Sequence, residues 1–195
     1  MEVETLTGAA LRAALPALGR LRASVFRAWP YLYEATPGYE GDYQSAYAES
    51  AGAGLVLASV DGEPVGAATC VPLRDETEGV RAPFLAAGLE VDDYFYFGES
   101  VLLPAYRGRG VGVAFFERRE AHALAVSMAG FACFCAVQRA VDHPARPADA
   151  VSLEPFWRRR GYAPMGLSCA MIWRDVGAAE KTSKTMAFWA KRLRG

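Results

Sequence analysis

The sequence predicts an α/β fold in which helices flank a mixed central β-sheet. Several apolar, β-rich runs of strand length recur along the chain, and helix-forming segments separate them. The dipeptide Asp61-Gly62 joins two of these runs, as in a two-residue β-hairpin. Residues 113–128 form an uninterrupted helix-forming stretch between two other runs. Together these observations predict one sheet whose strands run in mixed directions.

The composition indicates a single domain without a strongly charged target. The chain has 195 residues, enough to bury a core, and its 52% hydrophobic and 22% charged residues are ordinary for a globular domain. The net charge of −1 favours neither nucleic acid nor an anionic membrane. No signal peptide is recognised, and no apolar run approaches the roughly 18–20 residues of a transmembrane helix. We therefore expect a cytoplasmic protein with no nucleic-acid partner and no membrane partner.

The four cysteines predict a reduced protein without a metal site. Cys70, Cys133, Cys135 and Cys169 all lie in apolar, strand-like runs, which indicates buried thiols rather than disulfides. The Cys133-x-Cys135 spacing suggests metal ligands, but the chain has only two histidines and no second cysteine pair. We expect no metal.

The first half of the chain is predicted to contain a strand, two helices and a hairpin. Thr7 is a suitable N-cap for the first helix, which Pro16 should kink or split. An aromatic loop, Trp29 to Tyr33, connects the two helices. The predicted elements are a strand at 3–6, helices from 7 to about 29 and from 38 to 50, and strands at 55–60 and 65–72.

The second half is predicted to complete one domain at residues 1–175. Its predicted elements are a loop with a helical turn at 74–93, strands at 94–103, 131–137 and 167–174, a helix at 113–128, a proline-rich loop at 138–149 and a short helix leading into 156–162. Residues 176–195 end in a basic amphipathic segment that predicts a helix. Because two large aromatic side chains should not stay exposed, we expect this tail to pack on the domain or on the partner subunit of a homodimer.

A glycine-rich turn, residues 107–112, lies between the predicted strand at 94–103 and the following helix. Free backbone N–H groups and the positive end of the helix dipole make such a turn an anion-binding site, and glycine lets a phosphate approach the backbone. The P-loop pattern requires a lysine and a hydroxyl residue that are absent here. The GxGxxG pattern of dinucleotide-binding folds also fails, because Val113 and Phe115 occupy the two positions where its last glycine would fall.

A third pattern, Arg/Gln-x-x-Gly-x-Gly/Ala, is matched by Arg107, Gly110 and Gly112. The preceding residues 102–106, Leu-Leu-Pro-Ala-Tyr, resemble the lead-in of the same family, and residues 156–162 resemble a second element of it. The chain thus resembles the GNAT superfamily of acyl-CoA-dependent N-acyltransferases over about residues 55–174.

The resemblance implies a GNAT-type sheet whose fourth and fifth strands splay apart to admit the pantetheine arm of coenzyme A. It implies acetyl-CoA as cosubstrate, no metal, and an acceptor that is a primary amine of a small molecule or peptide. A non-catalytic acyl-CoA-binding domain is the alternative. The residues implied in binding acetyl-CoA are Leu102, Leu103, Arg107, Gly108, Arg109, Gly110, Val111, Gly112 and Trp157.

Two catalytic residues are predicted, Leu102 through its backbone N–H and Glu99 as general base. In the family a backbone N–H of the splayed strand stabilises the acetyl oxygen, and here this is Leu102 or a direct neighbour. Glu99 is the single ionisable residue on one predicted strand face, where burial would raise its pKa. That face comprises Phe95, Phe97, Glu99, Val101 and Leu103, with Tyr94 and Tyr96 on the opposite face as reserve candidates. The alternative is that Glu99 pairs with an internal arginine and holds the sheet.

The sequence leaves two roles undecided, that of Trp157 and that of the aromatic residues after the first strand. Trp157 stands where many family members have the tyrosine that protonates the coenzyme A sulfur, and an indole is no practical proton source. The role of acid is therefore unassigned, and Trp157 is expected to wall the pantetheine channel. In the family, the segment after the first strand borders the acceptor. Trp29, Tyr31, Tyr33 and Tyr39 are thus expected either to line that pocket or to pack the helix pair.

Overall fold

In the computed structural model, which describes residues 1–35 and 46–194, seven strands form one sheet. In chain order they are β1 (Glu2–Leu6), β2 (Gly54–Val60), β3 (Glu63–Pro72), β4 (Tyr94–Leu102), β5 (Phe131–Val137), β6 (Ala163–Arg174) and β7 (Lys181–Arg192). Their order across the sheet is β1-β2-β3-β4-β5-β7-β6. Only β4 and β5 pair in parallel, and the other neighbours are antiparallel. The predicted mixed sheet is confirmed.

Four α-helices lie wholly within the described residues, α1 (Gly8–Val25), α2 (Glu78–Ala86), α3 (Val111–Val126) and α4 (Glu154–Arg159). In α1, leucines three or four residues apart form one apolar stripe that packs on the sheet: Leu11, Leu15, Leu18 and Leu21. Pro16 lies inside α1, which is not split there. Phe115 and Phe116 of α3 belong to two further clusters that cover the opposite face. Most of the predicted helix at 38–50 falls outside the described residues.

The hairpin between β2 and β3 turns at Asp61 and Gly62, as predicted. Asp61 has φ 52° and Gly62 has φ 83°, which is the positive-φ pair that a type I′ turn requires. The strands pair antiparallel on either side of this turn. The local sequence therefore determines this connection.

The segment between β3 and β4 contains more helix than the sequence indicated. Where a loop with one helical turn was expected, α2 occupies nine residues, flanked by short 3-10 turns at Leu73–Asp75 and Val91–Asp93. Val80 and Phe84, four residues apart, are buried against the core that also contains α1. The glycine and proline inside this helix concealed it, because both residues have low helix propensity.

The predicted C-terminal helix is wrong. Residues 181–192 form β7, which pairs with β5 on one side and with β6 on the other. Met186 and Phe188 are buried on one face of the sheet, which is the period-two pattern of a strand. Lysine, alanine and arginine around them suggested a helix, whereas the two neighbouring strands stabilise the extended form. The strand β6 therefore is not the last one, and it begins at Ala163 rather than at residue 167.

The sheet opens between β4 and β5. Only three residue pairs join these strands, Tyr94 to Tyr96 with Phe131 to Cys133. Beyond them β4 continues to Leu102 and β5 to Val137 without pairing. The divergence is the splay that the family resemblance implied.

A β-bulge interrupts β4 shortly after the opening begins. Ala68 of β3 lies opposite Ser100, whereas Cys70 lies opposite Phe97, so β4 has one extra residue between these pairs. The bulge reverses the alternation of side chains. Phe95 and Phe97 pack with α3, whereas Tyr94, Tyr96 and Val101 pack with α1. The predicted single face is therefore wrong, and the two tyrosines share their face with Val101.

Candidate active site

Glu99 lies in the bulge, buried on the α1 side of the sheet with 4% of its surface exposed. Arg22 of α1 donates a hydrogen bond to Oε1 and forms a buried ion pair with this carboxylate. Thr69 of β3 donates through Oγ1 to Oε2 at 2.6 Å, and the same hydroxyl accepts from the Glu99 backbone N–H at 3.1 Å. An internal arginine thus pairs with Glu99, as the sequence-based alternative stated.

A second buried carboxylate, Glu76, lies nearby and was not singled out from the sequence. It is 5% exposed and accepts hydrogen bonds from Tyr47 Oη at 2.8 Å and from the Thr77 backbone N–H at 3.0 Å. Burial raises the pKa of Glu76, although the Thr77 and Tyr47 hydrogen bonds and the charge of Arg81 oppose this shift. Within residues 1–35 and 46–194, no lysine or arginine comes within ion-pair distance of it.

The hydroxyls of Tyr47 and Thr69, which bind Glu76 and Glu99 respectively, both contact Gly98. A Cβ atom added there would lie 2.1 Å from Tyr47 Oη and 2.5 Å from Thr69 Oγ1. Glycine is therefore required, because the two hydroxyls rest directly on the backbone of the bulge. An isolated glycine inside an apolar strand was the available sequence signal for a bulge and a close approach.

Arg119 of α3 holds the bulge from the opposite face. It is 1% exposed, and Nη1 donates to the backbone carbonyls of Thr69 at 3.3 Å and Glu99 at 3.4 Å. Nη2 donates to Ser100 Oγ at 2.9 Å, and Nε donates to the Phe115 carbonyl at 3.1 Å. Burial lowers the pKa of this guanidinium. Arg119 therefore fixes the helix that follows the glycine turn to the strand that bears the bulge.

The glycine turn has the backbone conformation that an anion site needs. Gly108 has φ 74° and Gly110 has φ 83°, and α3 begins directly afterwards at Val111. A Cβ atom at either glycine would meet nothing within 4 Å, so the space beside the turn is open. Because the first N–H groups of a helix have no partner within the helix, they are available to an anion here. Arg107 Nε donates to the Leu102 carbonyl at 3.3 Å.

The Leu102 backbone N–H points towards the opening in the sheet. Leu103 donates its N–H to the Val65 carbonyl of β3 at 3.0 Å. Successive amides of a strand point to alternate edges, so the Leu102 amide faces the other edge, where β5 has diverged. Binding of acetyl-CoA by the residues from Leu102 to Gly112, including Leu103 and Arg109, stays a prediction.

Trp157 lies on α4, on the same side of the sheet as α3. Its ring packs edge-on against Phe134 at 5.1 Å and Trp189 at 5.2 Å between centroids. Close by, Phe156 lies 3.5 Å from where a Cβ atom of Gly112 would be, so α4 adjoins the glycine turn. These contacts show that Trp157 packs in the core on this side, and its role as a wall of the pantetheine channel stays a prediction.

Tyr162 does not replace the missing acid. It is 2% exposed, and its hydroxyl donates to Glu120 Oε1 at 3.0 Å. Burial and the nearby Glu120 charge raise the pKa of Tyr162 well above its usual range. A hydroxyl that is buried and bound to a carboxylate does not supply a proton to a thiolate. The role of acid therefore has no candidate among these two aromatic residues.

The aromatic loop is held in place by packing and by one arginine. Tyr33 is buried in the core, and Tyr31 packs against Phe26 with 4.2 Å between ring centroids. Arg139 donates to the carbonyls of Pro30 at 2.9 Å and Tyr31 at 2.6 Å. Tyr39 lies outside the described residues. These contacts show the packing role, while a contribution to the acceptor pocket stays a prediction.

Residues 1–35 and 46–194 contain neither a membrane-spanning helix nor a cluster of metal ligands. No helix there is long and apolar enough to cross a membrane. No group of three or more histidine, cysteine, aspartate or glutamate side chains there could hold a metal ion.

A sheet that opens between two parallel strands, beside a glycine turn that starts a helix, is the architecture of an acyltransferase. Residues 20–148 match the acetyltransferase (GNAT) family, and the chain belongs to that family. This confirms the resemblance found in the sequence. Comparison with curated proteins finds no match.

Several solved structures share the fold. Ribosomal-protein-alanine N-acetyltransferase from Brucella melitensis has a TM-score of 0.61 at 15% identity, covering 98% of this chain and 99% of its own. An aminoglycoside 6'-N-acetyltransferase complexed with coenzyme A has a TM-score of 0.60 at 12% identity, covering 100% and 98%. YncA from Salmonella typhimurium, with its cofactor acetyl-CoA, has a TM-score of 0.61 at 11% identity, covering 98% and 94%. At these identities the similarity is one of fold.

Proposed function

We propose that this enzyme transfers an acetyl group from acetyl-CoA to a primary amine of a small molecule or peptide. The observation that supports it best is the gap between β4 and β5, into which the Leu102 amide points beside an open glycine turn. Two similar structures contain coenzyme A or acetyl-CoA. Family membership supports the reaction class.

The residues along the gap fit acetyl-CoA. The turn from Arg107 to Gly112 would bind the pyrophosphate, because its positive-φ glycines leave open space before a helix N-terminus. Leu102 and Leu103 would border the pantetheine arm at the open edge of β4, where the Leu103 N–H is already bound to the Val65 carbonyl. Trp157 would line the channel from α4.

Acetyl-CoA supplies an activated acetyl group and a thiol leaving group. The Leu102 N–H would donate to the acetyl oxygen, where negative charge develops as the amine attacks. The thiol needs no strong acid to leave, because its ordinary pKa lies near 8.5. That property is compatible with Trp157 at the position of the usual tyrosine and with the buried hydroxyl of Tyr162.

Glu99 is one candidate for the general base. The carboxylate lies in the bulge next to the gap, but Arg22 and Thr69 hold its two oxygens. This pairing favours the alternative in which Glu99 stabilises the sheet. Loss of the acid limb of the pH–rate profile in Glu99→Gln would support the catalytic role, whereas a lower melting temperature with an unchanged limb would support the structural one.

The acceptor and the compartment belong to the same proposal. The similar enzymes act, by their names, on ribosomal-protein alanine and on aminoglycosides, so the fold is compatible with peptide and small-molecule amines. The four cysteines are free and buried, which supports a cytoplasmic protein. A homodimer stays a prediction.

Coenzyme A binding tests the proposal. At a hundredfold excess over Kd, coenzyme A should add about 2.7 kcal/mol to the free energy of unfolding. Gly110→Val should abolish this gain. The control is Gly62→Val in the β2–β3 hairpin, where φ is also 83° and the space is also open. This variant suffers the same backbone strain but should keep the response to coenzyme A.

Turnover tests the reaction itself. A panel of primary amines, including aminoglycosides, polyamines and peptide N-termini, is incubated with acetyl-CoA, and the released thiol is measured. An absence of coenzyme A binding would refute the proposal. Binding without turnover of any amine would point to the non-catalytic alternative.

A further inference from the structure

Ser100 differs from the earlier residues of β4 that face α3, because its side chain is exposed. Phe95 and Phe97, which precede it on that face, are 0% exposed. The leaving thiolate has no partner so far, since neither Trp157 nor Tyr162 supplies a proton. We propose that the Ser100 hydroxyl is the hydrogen-bond donor to the coenzyme A sulfur as the thiolate leaves. The inference rests on the proposed function and assigns a residue to its leaving-group step.

The Ser100 hydroxyl has a hydrogen to donate. Arg119 Nη2 donates to Oγ at 2.9 Å, and a guanidinium carries no acceptor, so the hydroxyl hydrogen cannot be returned to Arg119. Within residues 1–35 and 46–194, the Ser100 side chain makes no other hydrogen bond. A hydroxyl that accepts from a cation becomes a stronger donor, because linked hydrogen bonds polarise one another.

The position of Ser100 makes this donor accessible from the gap. Ser100 lies beyond Tyr96, the last residue of β4 that pairs with β5, and only Ala68 of β3 lies opposite it. Leu102 follows two residues later, about 7 Å along the strand, because each residue advances about 3.3 Å. A thioester whose oxygen accepts from the Leu102 N–H carries its sulfur on the same carbon, within reach of Ser100.

The hydroxyl also lies on the side of the sheet from which coenzyme A would enter. The helix α3 begins at the glycine turn and supplies Arg119, so Ser100 points to the α3 side. The Glu99 carboxylate points to the other side, where Arg22 of α1 binds it. The sulfur would therefore lie on the α3 side of the gap, which leaves the α1 side to the amine.

The bond changes balance without a proton from Ser100. As the amine nitrogen bonds to the acetyl carbon, the carbon–sulfur bond breaks and its electron pair stays on sulfur. Ser100 donates a hydrogen bond to that sulfur and keeps its proton, because an alcohol is a weaker acid than a thiol, whose ordinary pKa lies near 8.5. The nitrogen gives up its proton to water, and the thiolate takes a proton from water.

The pKa of the coenzyme A thiol in the complex tests the proposal without turnover. A thiolate absorbs ultraviolet light that a thiol does not, so a pH titration of the complex, corrected for the free enzyme, gives this pKa. Ser100→Ala should raise the pKa of the bound thiol by about 1–2 pH units, because a hydrogen bond to a charged acceptor is lost. Ser100→Thr keeps a hydroxyl on the same carbon and should stay close to wild type.

The matched control is Ser168→Ala, which removes an exposed strand serine from β6, two strands away from β5. It should leave both the thiol pKa and kcat unchanged. Ser100→Ala should lower kcat about 10- to 10²-fold at saturating acetyl-CoA and amine. Because Ser100 is exposed, water can replace the lost hydroxyl at Arg119 Nη2, and the variant should fold.

Three results would overturn the proposal. The first is a bound thiol with the same pKa in wild type and Ser100→Ala, and the second is an equal rise in Ser100→Thr or Ser168→Ala. The third is a wild-type kcat in Ser100→Ala. Failure of the proposed function differs, because wild type itself would then neither bind coenzyme A nor acetylate an amine.

Discussion

Glu99 and Glu76 are both buried on the α1 side of β4, yet their partners differ. Arg22 pairs with Glu99, and Thr69 occupies its second oxygen. Glu76 lacks a cation at ion-pair distance among the described residues and binds a tyrosine hydroxyl. Burial alone therefore does not identify a catalytic carboxylate. A paired carboxylate stabilises the fold in its charged form, whereas an unpaired one is inclined to accept a proton.

The largest expected effect follows from breaking the ion pair. Arg22→Met would leave Glu99 buried with its charge uncompensated, which should lower the free energy of unfolding by about 3–5 kcal/mol in denaturant titration. Adding Glu99→Gln should recover part of this loss, because the uncompensated charge disappears. If the two single substitutions were additive, Arg22 and Glu99 would not be coupled.

Filling Gly98 should disturb both carboxylates at once. Gly98→Ala would place a methyl group against Tyr47 Oη and Thr69 Oγ1, and such overpacking typically costs about 1–3 kcal/mol. The matched control is Gly79→Ala in α2, where a Cβ atom meets nothing within 4 Å. That change should be neutral or stabilising because alanine favours helix. Equal melting temperatures for the two variants would contradict the close packing at Gly98.

Arg119→Met tests the opposite face of the same bulge. The substitution keeps much of the volume but leaves the Thr69 and Glu99 carbonyls without their guanidinium donor, and each orphaned buried group costs about 1–3 kcal/mol. Removal of a desolvated charge offsets part of this cost, so we expect a smaller loss of stability than for Arg22→Met. A loss of stability as large as that for Arg22→Met would contradict the expected offset from removing the buried charge of Arg119.

The smallest effect on stability is expected for Glu76→Gln. Unlike Arg22→Met, this substitution should not lower the free energy of unfolding. Because folding raises the pKa of Glu76, the native state binds more protons than the unfolded state above the ordinary carboxyl pKa. Stability from this group is therefore present at low pH and is lost as the pH rises towards the folded pKa. Glu76→Gln should remove that loss, so its unfolding free energy at neutral pH should equal or exceed that of wild type. A clear destabilisation at pH 7 would argue against the raised pKa.

Much of the fold follows from local sequence. The Asp61-Gly62 turn, the strand at 94–102 and the glycine turn are set by φ preferences and by hydrophobic runs a few residues long. The predicted face of β4 was wrong because of the bulge, in which one extra residue shifts every later side chain to the other side of the sheet. The C-terminal strand was missed because its partners, β5 and β6, determine its conformation.

The sequence by itself determined the family, through Arg107, Gly110 and Gly112, since a phosphate-binding turn depends on neighbouring backbone angles. It also provided Glu99 as a candidate. Only the tertiary structure decided which carboxylate is paired, because Arg22 and Glu99 are 77 residues apart, and Tyr47 and Glu76 are 29 apart. The proton affinity of a buried group depends on which distant charges and hydroxyls the fold places beside it, and no local pattern encodes that choice.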